Sequence, residues 1–471
     1  MRRREFLKAA GVGAVSLSVG ACRSGVRAIT DAFGGQKPNV VFIIVDDMGW
    51  ADLGCYGSKE LQTPNIDRMA AEGIRFTDAY SGCTVCAPAR SVLMTGLHTG
   101  HTPVRGNTGG IPLPADAVTV ASVLKQAGYA TGGFGKWGLG DVGTEGVPEK
   151  HGFDKFFGYY HQIHAHYYWT DYLWRNSEKV PLPGVEGDMK SYSHYHIFNH
   201  TMDFIRAHKD EPFFCYAPWT PPHGRYEIPE IDPAWRLYKD KPWPRPAKVA
   251  AAMDTMIDRQ VGELMTLLKE LKIEKRTIVF FCSDNGAAQR FEGVLDSSGP
   301  LRGQKRSMYE GGIRVPLIAW SPGRIEPGTV SDHPCYFADV MPTLAELAGA
   351  AEHVGDDIDG LSFVPALLGR PAEQKKHRFM YWEWHNYDWG KRQNVPGGLA
   401  QAVRMGKWKA VRHKSTEPFE LYDLSVDVGE ADNVAAENPQ VVRRIETYIA
   451  RNRREPIPQI EPEKPEGKHY R

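Results

Sequence analysis

Net charge is what this sequence lacks: 57 Lys and Arg balance 57 Asp and Glu over 471 residues. The bulk attraction that nucleic-acid binders draw on is therefore missing, which excludes a nucleic acid as an expected partner. Cysteine is scarce as well. Cys22, Cys55, Cys83, Cys86, Cys215, Cys282 and Cys335 are scattered along the whole chain, too thinly for a disulfide scaffold. Beyond the N-terminal stretch no apolar run approaches the roughly 18 residues of a membrane span. No internal repeat is visible. What is present is ordinary globular composition, 42% hydrophobic and 24% charged, with 20 Tyr, 19 Phe and 12 Trp. Rings in that number line clefts as well as cores. A chain of this length holds one large domain and a smaller one, or two to three of about 150 residues each.

The chain opens Met1-Arg2-Arg3-Arg4-Glu5-Phe6-Leu7-Lys8, followed by a weakly apolar stretch from Ala9 to Ala21. That stretch is too short to cross a bilayer. Twin arginines before Phe-Leu-Lys resemble a twin-arginine export signal. Val19-Gly20-Ala21-Cys22 resembles a bacterial lipobox, in which Cys22 would be lipidated; simple cleavage that discards Cys22 is the alternative. Residues 1–36 are expected to be signal and tether. The protein is expected to be exported to the periplasm or cell surface, touching a membrane only through a lipid on Cys22.

Short β-branched runs recur along the chain: Asn39 to Val45, Pro212 to Ala217, Thr277 to Cys282 and Val315 to Trp320. Each reads as a buried parallel strand. Helical periodicity lies between them, at Asn65 to Ala71, Val118 to Gln126 and Lys248 to Leu271. The expected fold is α/β, a large, mixed, mostly parallel sheet sandwiched by helices over residues 37–372. After about residue 370, Arg378 to Trp384, Gln401 to Val411 and Glu420 to Leu424 read as short amphipathic strands, with a helix near Asn438 to Arg451. These predict a smaller C-terminal α+β domain, a short antiparallel sheet plus a helix, over 373–455, and a flexible tail at 456–471.

Three polar clusters share a placement. Asp46-Asp47, His223 and Asp284-Asn285 each follow the end of an apolar strand. Ligands of open α/β sheets bind outside the carboxyl ends of strands. Asp-Asn-Gly alone has the composition of a turn; the recurrence points to a site. Asp46, Asp47, Asp284 and Asn285 offer only oxygen ligands, which suits Ca2+ or Mg2+ rather than zinc.

Cys86-Ala87-Pro88-Ala89-Arg90-Ser91-Val92-Leu93-Met94-Thr95-Gly96 resembles the signature of the formylglycine-dependent sulfatases, C-x-P-S-R-x-x-x-x-T-G, within the alkaline-phosphatase-like superfamily. It departs from that signature at Ala89, where Ser is commonest. Further blocks follow in family order. They are Gly135-Lys136-Trp137-Gly138-Leu139-Gly140, Pro221-Pro222-His223, Asp284-Asn285-Gly286, Leu301-Arg302-Gly303-Gln304-Lys305 and Glu310-Gly311-Gly312-Ile313-Arg314-Val315-Pro316. Asp359-Gly360-Leu361-Ser362 and Glu420-Leu421-Tyr422-Asp423-Leu424 match late blocks. The resemblance covers roughly residues 38 to 450, and the chain is similar to bacterial carbohydrate sulfatases.

The resemblance implies sulfuric ester hydrolysis. A maturase would oxidise Cys86 to formylglycine before export, and the hydrated aldehyde would attack sulfur and later release sulfate. Asp46, Asp47, Cys86, Asp284 and Asn285 would hold the cation. Arg90 would face the nucleophile, Lys136 and Lys305 would clamp sulfate oxygens, and His223 would protonate the departing alcohol. Pro88 suits the first turn of a helix, placing position 86 at its positive end.

One position departs from the family pattern with consequence: where G-K-W-H carries histidine, this chain has Gly138. His98, His101, His164 and His166 are candidates to replace it. His98, His101 and Arg105, just past the nucleophile helix, and His164 and His166, in a ring-rich segment, are the expected substrate contacts. The expected substrate is a sulfated carbohydrate of galactose or N-acetylgalactosamine type. Three rivals remain at this stage: a phosphate or phosphonate monoester hydrolase of the same superfamily, a sulfoglycan-binding lipoprotein with unmodified Cys86, and a redox or disulfide role for Cys83 and Cys86.

Overall fold

The computed structural model describes residues 36–388 and 393–456. The export signal, Cys22 and all of the expected tail except Pro456 lie outside the described residues.

Asn39–Val45 is buried at all seven positions. Its alternate side chains enter two different cores: Val40, Phe42 and Ile44 on one face, Val41, Ile43 and Val45 on the other. A strand covered on both faces has no polar side to show, hence the unbroken apolar run. It pairs in parallel with Phe213–Trp219 and with Thr277–Ser283. Ala130–Lys136 continues the sheet beside Phe213–Trp219, and Lys155–Tyr159 beside it, both parallel. These five strands form the centre of a ten-stranded sheet. Cys86–Thr95, Val120–Gln126 and Val340–Ala348 supply helices to the first core. Pro64–Ala71, Ser193–Ala207 and Arg245–Glu270 supply the second. This is the expected sandwich.

One strand runs against expectation. Leu317–Trp320 pairs antiparallel with Thr277–Ser283. The intervening chain stays at the carboxyl edge of the sheet, where Gly286 N–H bonds Gly312 O at 3.1 Å. The next strand therefore enters from that edge and must run back.

The C-terminal part is a four-stranded antiparallel sheet of Met380–Asp388, Gln393–Met405, Trp408–Arg412 and Glu420–Asp423. The helix Pro439–Asn452 lays Val441, Ile445 and Ile449 on it at four-residue spacing. The run Gln401 to Val411 is two strands rather than one; the chain reverses at Gly406, whose φ of 61° is left-handed and suits glycine.

A buried ion cluster joins the two parts. Lys409 Nζ, on the C-terminal sheet, donates to Glu310 Oε1 at 2.8 Å and to Glu430 Oε1 at 3.3 Å. Lys409, Glu310 and Glu430 are all fully buried. Burial alone would raise the Glu310 carboxyl, but Lys409 and Arg314 outweigh it and hold it low. Removing one member of such a cluster strands a buried charge. Lys409→Ala is expected to cost about 3–5 kcal/mol in denaturant unfolding. Lys414→Ala, which breaks an exposed pair with Glu417, is expected to cost less than about 1 kcal/mol. Equal effects would show that the buried cluster does not join the parts.

Candidate active site

The register of the central strands assembles the site. Val45 lies opposite both Ser283 and Trp219, so three strands end level. Asp46, the turn to His223, and Asp284 then leave the sheet side by side; Asp284 N–H bonds Val45 O at 2.9 Å. Lys136 is the last residue of its own strand. Gly135 before it has φ 139°, and a Cβ there would stand 2.0 Å from Pro218 O. Only glycine lets that strand end close against its neighbour.

Cys86 opens the helix Cys86–Thr95, which is buried at every position, with Val85 extended before it. Pro88 falls in the first turn, as expected. The next backbone donor, Ala87 N–H, meets Asn107 Oδ1 at 3.0 Å. The Cys86 thiol donates to Asp46 Oδ1 at 3.4 Å and lies 3.2 Å from Lys305 Nζ. Arg90, one turn on, donates to Asp284 Oδ2 through Nε at 3.1 Å and Nη2 at 2.8 Å. Nη2 also reaches Asp46 Oδ2 at 3.3 Å, and Nη1 the Lys136 carbonyl at 2.8 Å. Lys136 Nζ donates to Asp46 Oδ2 at 2.6 Å, and Lys305 Nζ to Asp47 Oδ1. His223 Nε2 is 3.5 Å from Asp47 Oδ2.

These groups set one another's protonation. Burial alone would raise the Asp46 carboxyl, yet Lys136, His223, Arg90 and Lys305 together hold it well below the usual range. Burial and the Asp46 charge push Asp284 the other way. Burial and Asp46 also push the Cys86 thiol up to about 12, so at neutral pH it is a thiol, a weak nucleophile. Burial holds His223 well below the ordinary imidazole range, against the pull of Asp46.

Asp46, Asp47, Cys86, Arg90, Lys136, His223, Asp284, Asn285 and Lys305 thus converge. One ligand atom from each of Asp46, Asp47, Cys86 and His223 fits within 4.8 Å. Asp284 is more occupied than the sequence suggests: Oδ2 faces Arg90, and Oδ1 accepts Asp47 N–H at 3.3 Å. Asn285 donates through Nδ2 to Asp47 Oδ1 at 2.7 Å, leaving its own Oδ1 buried and unbonded. A half-turn of that amide exchanges oxygen for nitrogen. The residues fit a hard divalent cation, since the donors are carboxylates plus one unsatisfied amide oxygen.

The expected substrate contacts divide. His98 and His101 gather round Asp359 in a separate group. His101 Nδ1 lies 2.9 Å from Asp359 Oδ1, and Nε2 meets the Asn452 carbonyl. Arg105 donates to Glu383 Oε1 at 3.1 Å and to the Arg454 carbonyl at 2.8 Å. These contacts fasten the C-terminal helix to the loop after the nucleophile helix. His164 is fully buried beside Tyr159 and Tyr172, with Nε2 2.7 Å from Thr170 Oγ1. Of the five, His166 stacks on His223, with ring centroids 4.3 Å apart. Sequence reasoning misses two residues: Asn107, and Gln162, whose Nε2 donates to Asn107 Oδ1 at 2.5 Å. Both lie inside the two segments that the sequence marks, Leu97 to Asn107 and His161 to Trp169, but a side-chain amide carries no signal of its own beside their histidines and arginine. Among the described residues Cys83 and Cys86 are both free, with no disulfide between them.

Comparison with known proteins agrees with this geometry. Residues 38–350 match the family described as Sulfatase, and 303–455 match the C-terminal family of N-sulphoglucosamine sulphohydrolase. The N-acetylgalactosamine-6-sulfatase of Canis lupus familiaris is 32% identical over 430 residues, 85% of this chain and 76% of the relative. Arylsulfatase A of Homo sapiens is 34% identical, covering 87% of this chain and 86% of its own. The solved structure of Ps i-CgsB in complex with k-i-k-neocarrahexaose superposes with a TM-score of 0.74 at 29% identity, over 88% of this chain and 94% of that one. With that match across most of its length, the chain belongs to the sulfatase family and is a sulfuric ester hydrolase.

Proposed function

We propose that this chain removes O-sulfate from a carbohydrate of galactose or N-acetylgalactosamine type, using formylglycine made from Cys86 and a Ca2+ or Mg2+ ion. The observation that carries the reading is the seat of Cys86. It heads a wholly buried helix, between Asp46 and Lys305, yet as a thiol pushed up to about 12 it is inert. Formylglycine supplies an oxygen nucleophile there, and the cation supplies positive charge for sulfate oxygens.

The chain's own residues do the rest. Asp46, Asp47 and Asn285 hold the cation, with Asp284 beside them. Arg90 keeps Asp46 and Asp284 together through one guanidinium. Lys136 and Lys305 offer ammonium donors to sulfate oxygens. Asp47 keeps the Lys305 ammonium charged against the effect of burial, so Lys305 supplies the proton for the departing alcohol, and His223, neutral in its buried seat, shares the task as a relay. Cys86 is only 1% exposed, so a maturase must reach it before the chain closes, which fits oxidation ahead of export. The twin-arginine address, periplasmic or cell-surface location and lipid at Cys22 belong to the same reading.

The sugar class is supported by two relatives: one named N-acetylgalactosamine-6-sulfatase and one solved with a neocarrahexaose. A cavity of about 420 Å3 supports it too. It lies between the loop carrying Asn107 and the strand residues Trp384, His385 and Tyr387. Asn107 itself bonds the peptide next to Cys86. Aromatic faces with polar neighbours suit sugar rings.

The tryptic peptide Phe76 to Arg90, from protein made in its own host, is expected to have lost hydrogen sulfide and gained one oxygen at Cys86; an intact thiol would remove the nucleophile. On an ester panel, sulfate esters are expected to turn over and phosphate monoesters to lag. Cys86→Ala should abolish turnover, and Lys136→Ala should lower kcat by about 100–1000-fold. Chelation is expected to lower Tm by several degrees, with recovery on adding Ca2+ or Mg2+. Asn285→Ala should blunt that recovery; a variant that responds like the wild type would take Asn285 out of the cation site.

A further inference from the structure

His166 ends the short turn His164–His166 that follows the strand Lys155–Tyr159. It is half-buried. Its ring lies on His223 with centroids 4.3 Å apart and planes inclined by 21°, so its plane is fixed. It stands within electrostatic reach of Asp46, Lys136 and Lys305, the groups round Cys86. Its ring nitrogens have no hydrogen-bond partner among the described residues. That sets it apart from His101 and His164, whose rings bond other parts of the chain. A ring held flat by a neighbour, beside the charged groups round Cys86 and without a hydrogen-bond partner among the described residues, is placed to meet what binds there.

The neighbouring wall explains why this turn supplies the group. Two residues beyond Lys136 the chain reaches Gly138, with φ 77° and no side chain; Gln162 Oε1 stands 3.1 Å from where its Cβ would be. Gln162, four residues before His166 in the same segment, therefore faces the space that residue 138 leaves bare.

We propose that His166 is a catalytic residue, donating a hydrogen bond from its imidazole to an oxygen of the bound sulfuryl group. This rests on the sulfatase reading of the same pocket. Sulfuryl transfer concentrates charge on the oxygens round sulfur, and a fixed donor in a water-poor site stabilises that charge strongly. The stack on His223 couples the two rings: one faces sulfur, the other the leaving oxygen.

Three variants separate donation from packing. His166→Phe keeps a ring for the stack and removes the donor, His166→Gln keeps a donor without the ring, and His166→Ala removes both. With 4-nitrophenyl sulfate, Phe and Ala are expected to lower kcat about 100-fold and Gln to recover at least a tenth of the wild-type rate. In calorimetric titration with inorganic sulfate, Phe and Ala should weaken binding several-fold while Tm stays near the wild-type value. Full activity in His166→Phe would reduce His166 to a packing group and overturn the proposal. So would unchanged sulfate affinity and kcat in His166→Ala. If wild-type protein of verified formylglycine content hydrolyses no sulfate ester, the sulfatase reading fails. The titration still decides on His166, and a wild type that does not bind sulfate overturns the proposal.

Discussion

One guanidinium shared between two buried carboxylates holds the site together. Arg90 spans Asp46 and Asp284 with none of the three side chains exposed. Burying such charges is costly unless each finds a partner. Asp46 is met by Arg90 and Lys136, Asp284 by Arg90, and Asp47 by Lys305. Three acids stand against three bases, so the charges cancel before anything binds. A divalent cation would leave that balance positive by two, which favours the negatively charged sulfate group of an ester. Selectivity for that anion over a neutral sugar is thus set by charge accounting in a site where water screens little.

Much of the fold and of this cluster is legible in the sequence. The central strands announce themselves because burial on both faces leaves no room for polar positions. Asp46, His223 and Asp284 are readable as a site because each follows such a strand and ligands gather at those ends. Direction is harder to read. Nothing inside Leu317–Trp320 says that it runs antiparallel; that follows from where the preceding loop emerges. The hairpin at Gly406 reads as continuous strand because both of its arms carry the same amphipathic mixture of residues.

The histidines mark a different limit. His164 and His166 are two positions apart with similar neighbours in sequence, yet one is a core residue and the other meets His223. A 3-10 turn has three residues per turn, so residues two apart point to different sides. Composition carries no record of which side faces the pocket. Likewise the acidic partners of His101 and Arg105, Asp359 and Glu383, lie more than 250 residues away, and only the folded chain brings them together. Those contacts and the Glu310–Lys409 pair make the C-terminal sheet part of the support of the site.

The spacing of these partners along the chain constrains how the protein assembles. Lys305 and Asp47 are 258 residues apart, Arg90 and Asp284 194, and Lys136 and Asp46 90. No contiguous fragment smaller than most of the sandwich contains a complete set. Closing loops of that size must precede any reward from the contacts they make. A contiguous fragment short of that span therefore lacks a complete place to bind a cation or an anion. Ligation would lend its free energy only to a chain that has closed those loops, as a latch on the assembled site.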